Sequence, residues 1–380
     1  MNNFRDHVIL SKFAQLIVFD YTHPVSGADL RNEAILQSLN QLGEVRQFQT
    51  PPELYRPANG IISSLNDSHF NPIVKFQPDY VIVEDVRLHS LVRELRKELP
   101  SAVFIADFHN IESLRLREDD RSRLPWFLKL TAPLIFARKW RSAHDDDIKM
   151  VSLCNAVWVC SKTDAARAKP FLSKDKLVMI VPNPIPIWCK NHQSMRPKFN
   201  SLSFRILYVG HLGYRPNKNA VRYLATKVFP RIKKINPTST LVVAGRSPNR
   251  RLKQFLVRIS GIELIANPSI VSEIYNHVDV AMLPITEGGG SRIKVLEAMA
   301  IGCPIIATNK AVEGLDLTPG VHFLLAETPT EFVNQLQSLS ASQAILENLC
   351  LAAQKFVSEN HSGAVINRSV ALAIAKSENS

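Results

Sequence analysis

Pro284-Ile285-Thr286-Glu287-Gly288-Gly289-Gly290-Ser291-Arg292-Ile293-Lys294-Val295-Leu296-Glu297-Ala298-Met299-Ala300-Ile301-Gly302-Cys303-Pro304-Ile305-Ile306-Ala307-Thr308 is the stretch on which the fold turns. The apolar run before it, 278–283, reads as a buried strand. Gly288, Gly289 and Gly290 let the backbone turn sharply and approach a ligand closely. A helix is expected from Ser291, because Val295, Leu296, Met299 and Ala300 recur at helical spacing until Gly302-Cys303-Pro304 ends the run. Residues 305–308 read as the next strand. This order of strand, glycine loop, helix and strand leaves N–H groups at the helix start to meet an anion, and Arg292 and Lys294 add two charges beside them. Glu297 stands two turns in. A diphosphate beside a hydroxylated sugar or ribose suits the set. So does a plain tight turn followed by a solvated basic face, since a glycine turn with cations is a weak motif alone.

The chain's 380 residues suit two domains. A hydrophobic content of 46% supplies apolar material for two cores. The net charge of +12 favours an anionic partner, either a phosphate-bearing substrate or an anionic membrane surface. No clustered basic stripe, reading motif or aromatic–basic interleaving points to nucleic acid. Cys154, Cys160, Cys189, Cys303 and Cys350 are odd in number and lack Cys-x-x-Cys spacing, which argues against a disulfide framework and structural zinc and for a reducing cytoplasm. The first apolar run, 8–19, is broken by Ser11, Lys12 and Gln15, so it reads as the approach to a strand and not as a secretory signal. No run reaches the ~18–20 apolar residues that span a bilayer.

Residues 14–20 read as the first strand, 21–27 as its loop, and 28–42 as a helix with Leu30, Ala34, Ile35, Leu39 and Leu42 on one side. A strand at 44–48 completes a βαβ opening, with Ser26-Gly27 at the end where α/β folds bind ligands. Residues 51–72 read as irregular; 80–84, 103–106, 156–160 and 177–181 as strands; and 88–99 and 162–171 as helices, the latter capped by Ser161. Asp145-Asp146-Asp147 reads as a helix N-terminus favoured by its dipole in preference to a metal site. Residues 123–141 mix apolar and aromatic side chains with flanking Arg and Lys. They read as a helix packed on its own domain or as a segment lying in a membrane interface. The breaker-rich stretch 184–203 reads as the interdomain linker. Beyond it, 204–209 is a strand, 210–220 a Gly-rich loop opening a helix that runs to about Ile235, and 240–244 a strand whose loop begins Gly245-Arg246. Residues 262–265 read as a strand, and 272–276, 330–339, 343–359 and 364–375 as helices.

The run Gly-Gly-Gly-Ser-Arg-Ile-Lys-Val-Leu-Glu-Ala-Met-Ala, followed by Gly-Cys-Pro-Ile-Ile-Ala-Thr and Val-Glu-Gly-Leu, resembles the donor-binding signature of glycosyltransferase family 4. Asp107-Phe108-His109-Asn110-Ile111-Glu112 is similar to a motif on the N-terminal domain of many of these enzymes. The resemblance implies a GT-B α/β fold: two Rossmann-like domains facing a central cleft, with the last helix crossing back to the first domain. The bounds expected are 1–190 for an acceptor-side domain, 203–360 for a nucleotide-sugar-binding domain and 361–380 for the returning helix. It implies transfer of a sugar from a nucleotide-sugar to a saccharide or lipid-linked saccharide, with retention of configuration. No cofactor or metal is expected, since fixed cations hold the leaving diphosphate.

By that resemblance His109, Lys294 and Arg292 are the catalytic candidates. Gly27, Gly210, His211, Lys218, Arg246, Gly289, Gly290, Ser291 and Glu297 are the donor-binding ones, with Glu297 on the ribose and the turn at 267–270 near the base. Two departures stand out: Gly289 occupies the place of the family's first Glu, with Glu287 two residues early, and His211 replaces an Arg that Arg215 or Arg292 would stand in for. These departures keep open a non-catalytic nucleotide-sugar binder or scaffold. A nucleotide-sugar epimerase on the same fold is a further alternative. The setting implied is bacterial surface-polysaccharide synthesis in the cytoplasm, at the inner face of the membrane, with peripheral contact through 123–141 and no nucleic acid.

Overall fold

The computed structural model describes residues 11–18, 27–50, 67–173, 175–189, 203–289 and 292–378. It forms two compact units, one holding Met1–Pro184, Gly289–Ser291 and Gly363–Ser380, the other Ile185–Gly288 and Arg292–Ser362.

The first unit begins β1 (Ser11–Ile17), α1 (Gly27–Leu39), β2 (Gly43–Gln49), α2 (Asp67–Phe76), β3 (Tyr80–Val83) and α3 (His89–Glu98). It continues β4 (Val103–Phe108), α4 (Glu112–Arg123), α5 (Ala132–Leu153), β5 (Ala156–Val159), α6 (Lys162–Ala168) and β6 (Leu177–Ile180). The strands pair in parallel in the order β2-β1-β3-β4-β5-β6. The inner strands of a parallel sheet are covered on both faces and so read as apolar runs; β3 and β5 are buried at every position, whereas the edge strand β2 is polar and partly exposed. Alternation divides them between two cores. Val81, Val83, Phe104, Ala106, Val157 and Val159 join Leu91, Leu95, Met150 and Val151 of α3 and α5. Phe13, Tyr80, Ile82, Ile105 and Trp158 face the other way, onto Ile35 and Leu39 of α1.

The second unit runs β7 (Arg205–Val209), α7 (Arg215–Tyr223), α8 (Phe229–Ile235), β8 (Thr240–Gly245), α9 (Arg250–Val257), β9 (Ile262–Ala266) and α10 (Ser272–Tyr275). Then come β10 (Val280–Leu283), α11 (Ile293–Ile301), β11 (Ile305–Ala307), β12 (Leu324–Leu325), α12 (Pro329–Ala341) and α13 (Gln343–His361). Its parallel order is β12-β11-β10-β7-β8-β9. The last helix, α14 (Gly363–Ser377), belongs to the first unit, where Ile366, Val370 and Ile374 enter the core beside α1. Ser38 Oγ of α1 lies 2.7 Å from Asn367 Oδ1 of α14 and donates to it.

Several expectations are corrected. The helix expected through Ile235 is divided by a π turn at Leu224–Val228. Pro230 lacks an N–H and crowds the carbonyl four residues back, which widens the preceding turn. α2 lies where 51–72 reads as irregular; Pro72 hides it, and buried Ile73 and Phe76 anchor it. α9 also goes unforeseen, although Asn249 caps it through the Leu252 N–H at 2.9 Å. Asp145-Asp146-Asp147 does not open a helix but lies inside α5, whose start is set by Pro133. Asp147 instead accepts from the Ser113 N–H at 3.0 Å and so satisfies the first turn of α4, while Asp146 lies 3.2 Å from His89 Nε2.

Candidate functional site

In the second unit the chain leaves β7 toward β8 and β9, then returns on the other side as β10, β11 and β12. Strand order therefore reverses between β7 and β10, and α/β sheets bind ligands beyond the carboxyl ends of strands at such a point. The segments that meet that condition are 210–214, after β7, and 284–289, after β10. Three non-glycine residues at this end of the sheet take left-handed backbone: Ser247 (φ 55°), Asn267 (φ 52°) and Arg292 (φ 52°). Each costs on the order of 1 kcal/mol, and such strain gathers where a backbone is held for function. Asn267 Oδ1 accepts from the Ser247 N–H at 2.8 Å, which ties the loops after β8 and β9 together.

Arg292 corrects the helix start. A residue in the left-handed region cannot extend a helix, so α11 begins at Ile293, two residues after the expected Ser291. The Arg292 side chain is 9% exposed, lies 3.2 Å from Glu313 Oε2, and donates to the Gly288 carbonyl at 3.4 Å. It anchors the glycine loop as well as carrying charge.

Lys294 is largely buried, and its amine donates to Asn217 Oδ1 at 2.6 Å and sits 5.4 Å from the centre of the Tyr208 ring. Asn217 is buried in the first turn of α7 and gathers three segments. Its Oδ1 also accepts from Tyr208 Oη at 2.8 Å, and its Nδ2 donates to the His211 carbonyl at 2.9 Å. Gly210 leaves room here: a Cβ would stand 3.1 Å from the Lys294 amine and 3.2 Å from Asn217 Nδ2, and both would have to give by a few tenths of an ångström. Gly245 is more constrained still: its φ is +151°, and a Cβ would fall 1.7 Å from the Gly210 carbonyl oxygen.

The electrostatics favour an anion. Burial, and then Arg292, pull the Lys294 amine down to about 7, while Glu297 acts in the opposite sense. His211 is pulled below its ordinary value by burial and by Arg246, Lys218 and Lys294 in turn, so three cations lie close enough to oppose its charge. Glu297, three residues after Lys294, is buried and accepts from Tyr275 Oη at 3.2 Å. Burial pushes its carboxyl up to about 8 against that hydrogen bond and Lys294. Arg215, a stand-in for the Arg missing at 211, is instead paired with Glu287 at 3.2 Å, and Asn219 donates to the same carboxylate at 2.5 Å.

In the first unit β4 runs two residues beyond expectation and carries Asp107 into the interior, where it is 1% exposed. Arg31 of α1, also 1% exposed, donates to both Asp107 oxygens at 2.6 to 3.1 Å. Its remaining donors reach the Val181 carbonyl at 2.5 Å and Asn183 Oδ1 at 3.3 Å. His109 Nε2 lies 3.1 Å from Asp107 Oδ2. Burial alone would raise the Asp107 carboxyl, but Arg31 and His109 hold it well below the ordinary range. Bidentate Arg31 thus fixes Asp107, and Asp107 fixes the His109 ring.

Among the expected site residues, the catalytic candidate Lys294 and the donor-binding candidates His211, Lys218, Arg246 and Gly210 are brought together, and Glu297 shares the helix of Lys294. Gly289 lies in the loop before α11. Gly290, Ser291 and Ser26 lie outside the described residues; Gly27 opens α1.

Residues 203–342 match the family model of Glycosyl transferases group 1. A protein of Klebsiella pneumoniae described as an uncharacterized 44.6 kDa protein in the cps region is 26% identical over 203 residues, 50% of this chain and 52% of that one. The match thus takes in about half the length of that curated relative. Among solved structures, a glycosyltransferase from Rickettsia africae superposes with a TM-score of 0.68 at 15% identity, covering 97% of this chain and 99% of its own. Anabaena Alr3699/HepE in complex with UDP and glucose gives 0.67 at 13%, covering 96% and 99%. Sucrose-phosphate synthase from Thermosynechococcus elongatus gives 0.64 at 14%, covering 96% and 98%. The chain therefore has the two-domain α/β fold of GT-B glycosyltransferases, and its 203–342 segment matches the model of Glycosyl transferases group 1.

Proposed function

We propose that the protein transfers a sugar from a nucleotide-sugar to a saccharide or lipid-linked saccharide acceptor, with retention of configuration and without a metal ion. The observation that carries the reading is the Lys294 amine, held by Asn217 at the sheet's switch point beside His211, Lys218 and Arg246. A diphosphate leaving group develops negative charge, and cations positioned beforehand in an enclosed site stabilise it without reorganising. Lys294, Arg292 and Lys218 take that role. Glu297 accepts from the ribose hydroxyls, and Gly27, Gly210, Gly289, Gly290, Ser291, His211 and Arg246 complete the donor side. His109 acts on the reacting side of the sugar, its ring set by Asp107. The relative described by its cps region, the UDP-bound neighbour and the net charge of +12 support a role in surface-polysaccharide assembly at the cytoplasmic face of a membrane.

A thermal-shift series with UDP-, GDP-, dTDP- and ADP-sugars, without metal, tests this. One nucleotide class should stabilise the protein by about 2.7 kcal/mol at 100 times its dissociation constant, and Lys294→Ala should lose the shift. No shift with any of them overturns the donor assignment. A second reading, a non-catalytic binder, is favoured by Glu287: the acid nearest the family's first Glu is already engaged by Arg215 and Asn219. A shift with no turnover across acceptor classes would select it.

A further inference from the structure

The longest helix of the first unit, α5, separates two faces cleanly. Ala132, Trp140, Ala143, Asp147, Met150 and Val151 are its buried stripe, at spacings of three and four with one of eight. Asp120 of α4, fully buried, holds that stripe in place: it accepts from Lys139 Nζ at 2.8 and 2.9 Å and from Trp140 Nε1 at 3.0 Å. Away from that stripe, Leu134 and Ile135 of α5 and Phe127, Leu128 and Leu130 of the 3-10 turn before it (Trp126–Thr131) are apolar and exposed. Leu130 is 92% exposed, Leu134 84%, Phe127 61% and Ile135 53%. A single exposed leucine is ordinary, but five large apolar side chains within nine residues, Leu128 included, are not.

Charge says what covers them. Arg138 and Arg141 follow Leu134 by four and seven residues, so they stand one and two turns along the same face, and both are exposed. Lys129 of the turn is exposed, as is Arg123 on the chain before it, which lies 3.9 Å from Asp120. An aqueous protein partner with an apolar patch would be matched equally by a neutral rim. A rim of cations around an apolar centre matches a lipid surface, where leucines enter the acyl boundary and long basic side chains reach back to phosphates. Among the described residues no helix is long and apolar enough to cross a membrane, so the contact would lie in the interface plane.

We infer that residues 127–141 form a docking surface for an anionic lipid bilayer. The inference is independent of sugar transfer and holds for an inactive binder as well. The whole protein is mixed with vesicles of phosphatidylcholine and phosphatidylglycerol, or of phosphatidylcholine alone, and sedimented. Binding is expected with the anionic vesicles only, and it should weaken with added salt. Leu130→Ser with Leu134→Ser should weaken it by about tenfold or more, because the apolar insertion is lost. Arg138→Gln with Arg141→Gln should weaken it by about fivefold per cation removed. All four positions are exposed, so thermal melting should be unchanged, and Lys294→Ala should bind vesicles like the native protein. Failure to bind anionic vesicles, or binding that the leucine pair does not alter, overturns the inference. A native dimer that the leucine pair converts to monomer, measured by light scattering, overturns it in favour of an interface between copies.

Discussion

The two units bury charge in opposite ways. In the first, Arg31 meets Asp107 in a bidentate pair, its other donors are taken by Val181 and Asn183, and His109 closes the set. In the second, Lys294 is buried beside Arg292 and near His211, Lys218 and Arg246, and its hydrogen bond goes to a neutral amide. The first arrangement neutralises itself. The second is an excess of positive charge held in place at a structural cost, which is how a site for an anion differs from a structural ion pair.

The largest expected effect breaks the second arrangement in function. Lys294→Ala should lower transfer by about a hundred- to a thousandfold, the loss seen when one preorganised donor to a developing anion is removed. Glu297→Ala should act chiefly on donor binding. Circular dichroism and steady-state rates check both, and folded variants with normal rates would refute the assignment.

Stability gives the next contrast. Arg31→Met strands a buried carboxylate and should cost about 3–5 kcal/mol, a fall in melting temperature of roughly 10 °C. Arg31→Met with Asp107→Leu should recover much of it. Lys294→Met removes a desolvated cation and leaves Asn217 Oδ1 its bond from Tyr208, so the empty protein should lose nothing and gain on the order of 1 kcal/mol below pH 7. Thermal melts of the three variants decide whether the two units differ as described.

The contrast also explains what sequence reasoning reaches. The alternation of strands and helices, the loop at Gly210, the Ser161 cap (3.1 Å to the Asp164 N–H) and the pairing of Lys294 with Glu297 on one helix are local, and periodicity shows them. Arg31 left a signal that is easy to pass over: it lies four residues before Ile35 and eight before Leu39, so the apolar stripe of α1 begins with a charge. Its partner lies 76 residues on, and no local pattern reports that. No local pattern marks Asn217, and only the folded chain makes it the hub between Tyr208, His211 and Lys294. Glu313 as the partner of Arg292, and the left-handed Arg292 that shifts the helix start, are likewise products of the tertiary structure.

Acid and base separate the units further. Asp107 is held below its ordinary 3.8, so its contribution is present above that pH and is lost only as pH falls beneath it. Glu297 is raised from 4.5 to about 8, so between those values the folded state keeps a proton that the unfolded chain has released, and stability falls with rising pH. The slope is at most about 1.4 kcal/mol per pH unit, and Glu297→Gln should flatten it in denaturant titrations.

The smallest effect is the most specific. Lys294 is lowered from 10.5 to about 7, so near pH 7.5 much of the empty protein carries a neutral amine there. A bound diphosphate stabilises the charged form and draws its pKa back up, so binding must take up a proton. Calorimetry of nucleoside diphosphate binding in buffers of different ionisation enthalpy should show uptake approaching ~1 proton between pH 7 and 9, vanishing in Lys294→Met. Affinity should weaken as pH rises through that window, by up to about tenfold per unit. Proton release, or uptake that persists in the variant, would mean that Lys294 is already charged and paired in the empty protein. The second unit would then bury its charge as the first does, and the distinction between site and scaffold would no longer rest on these residues.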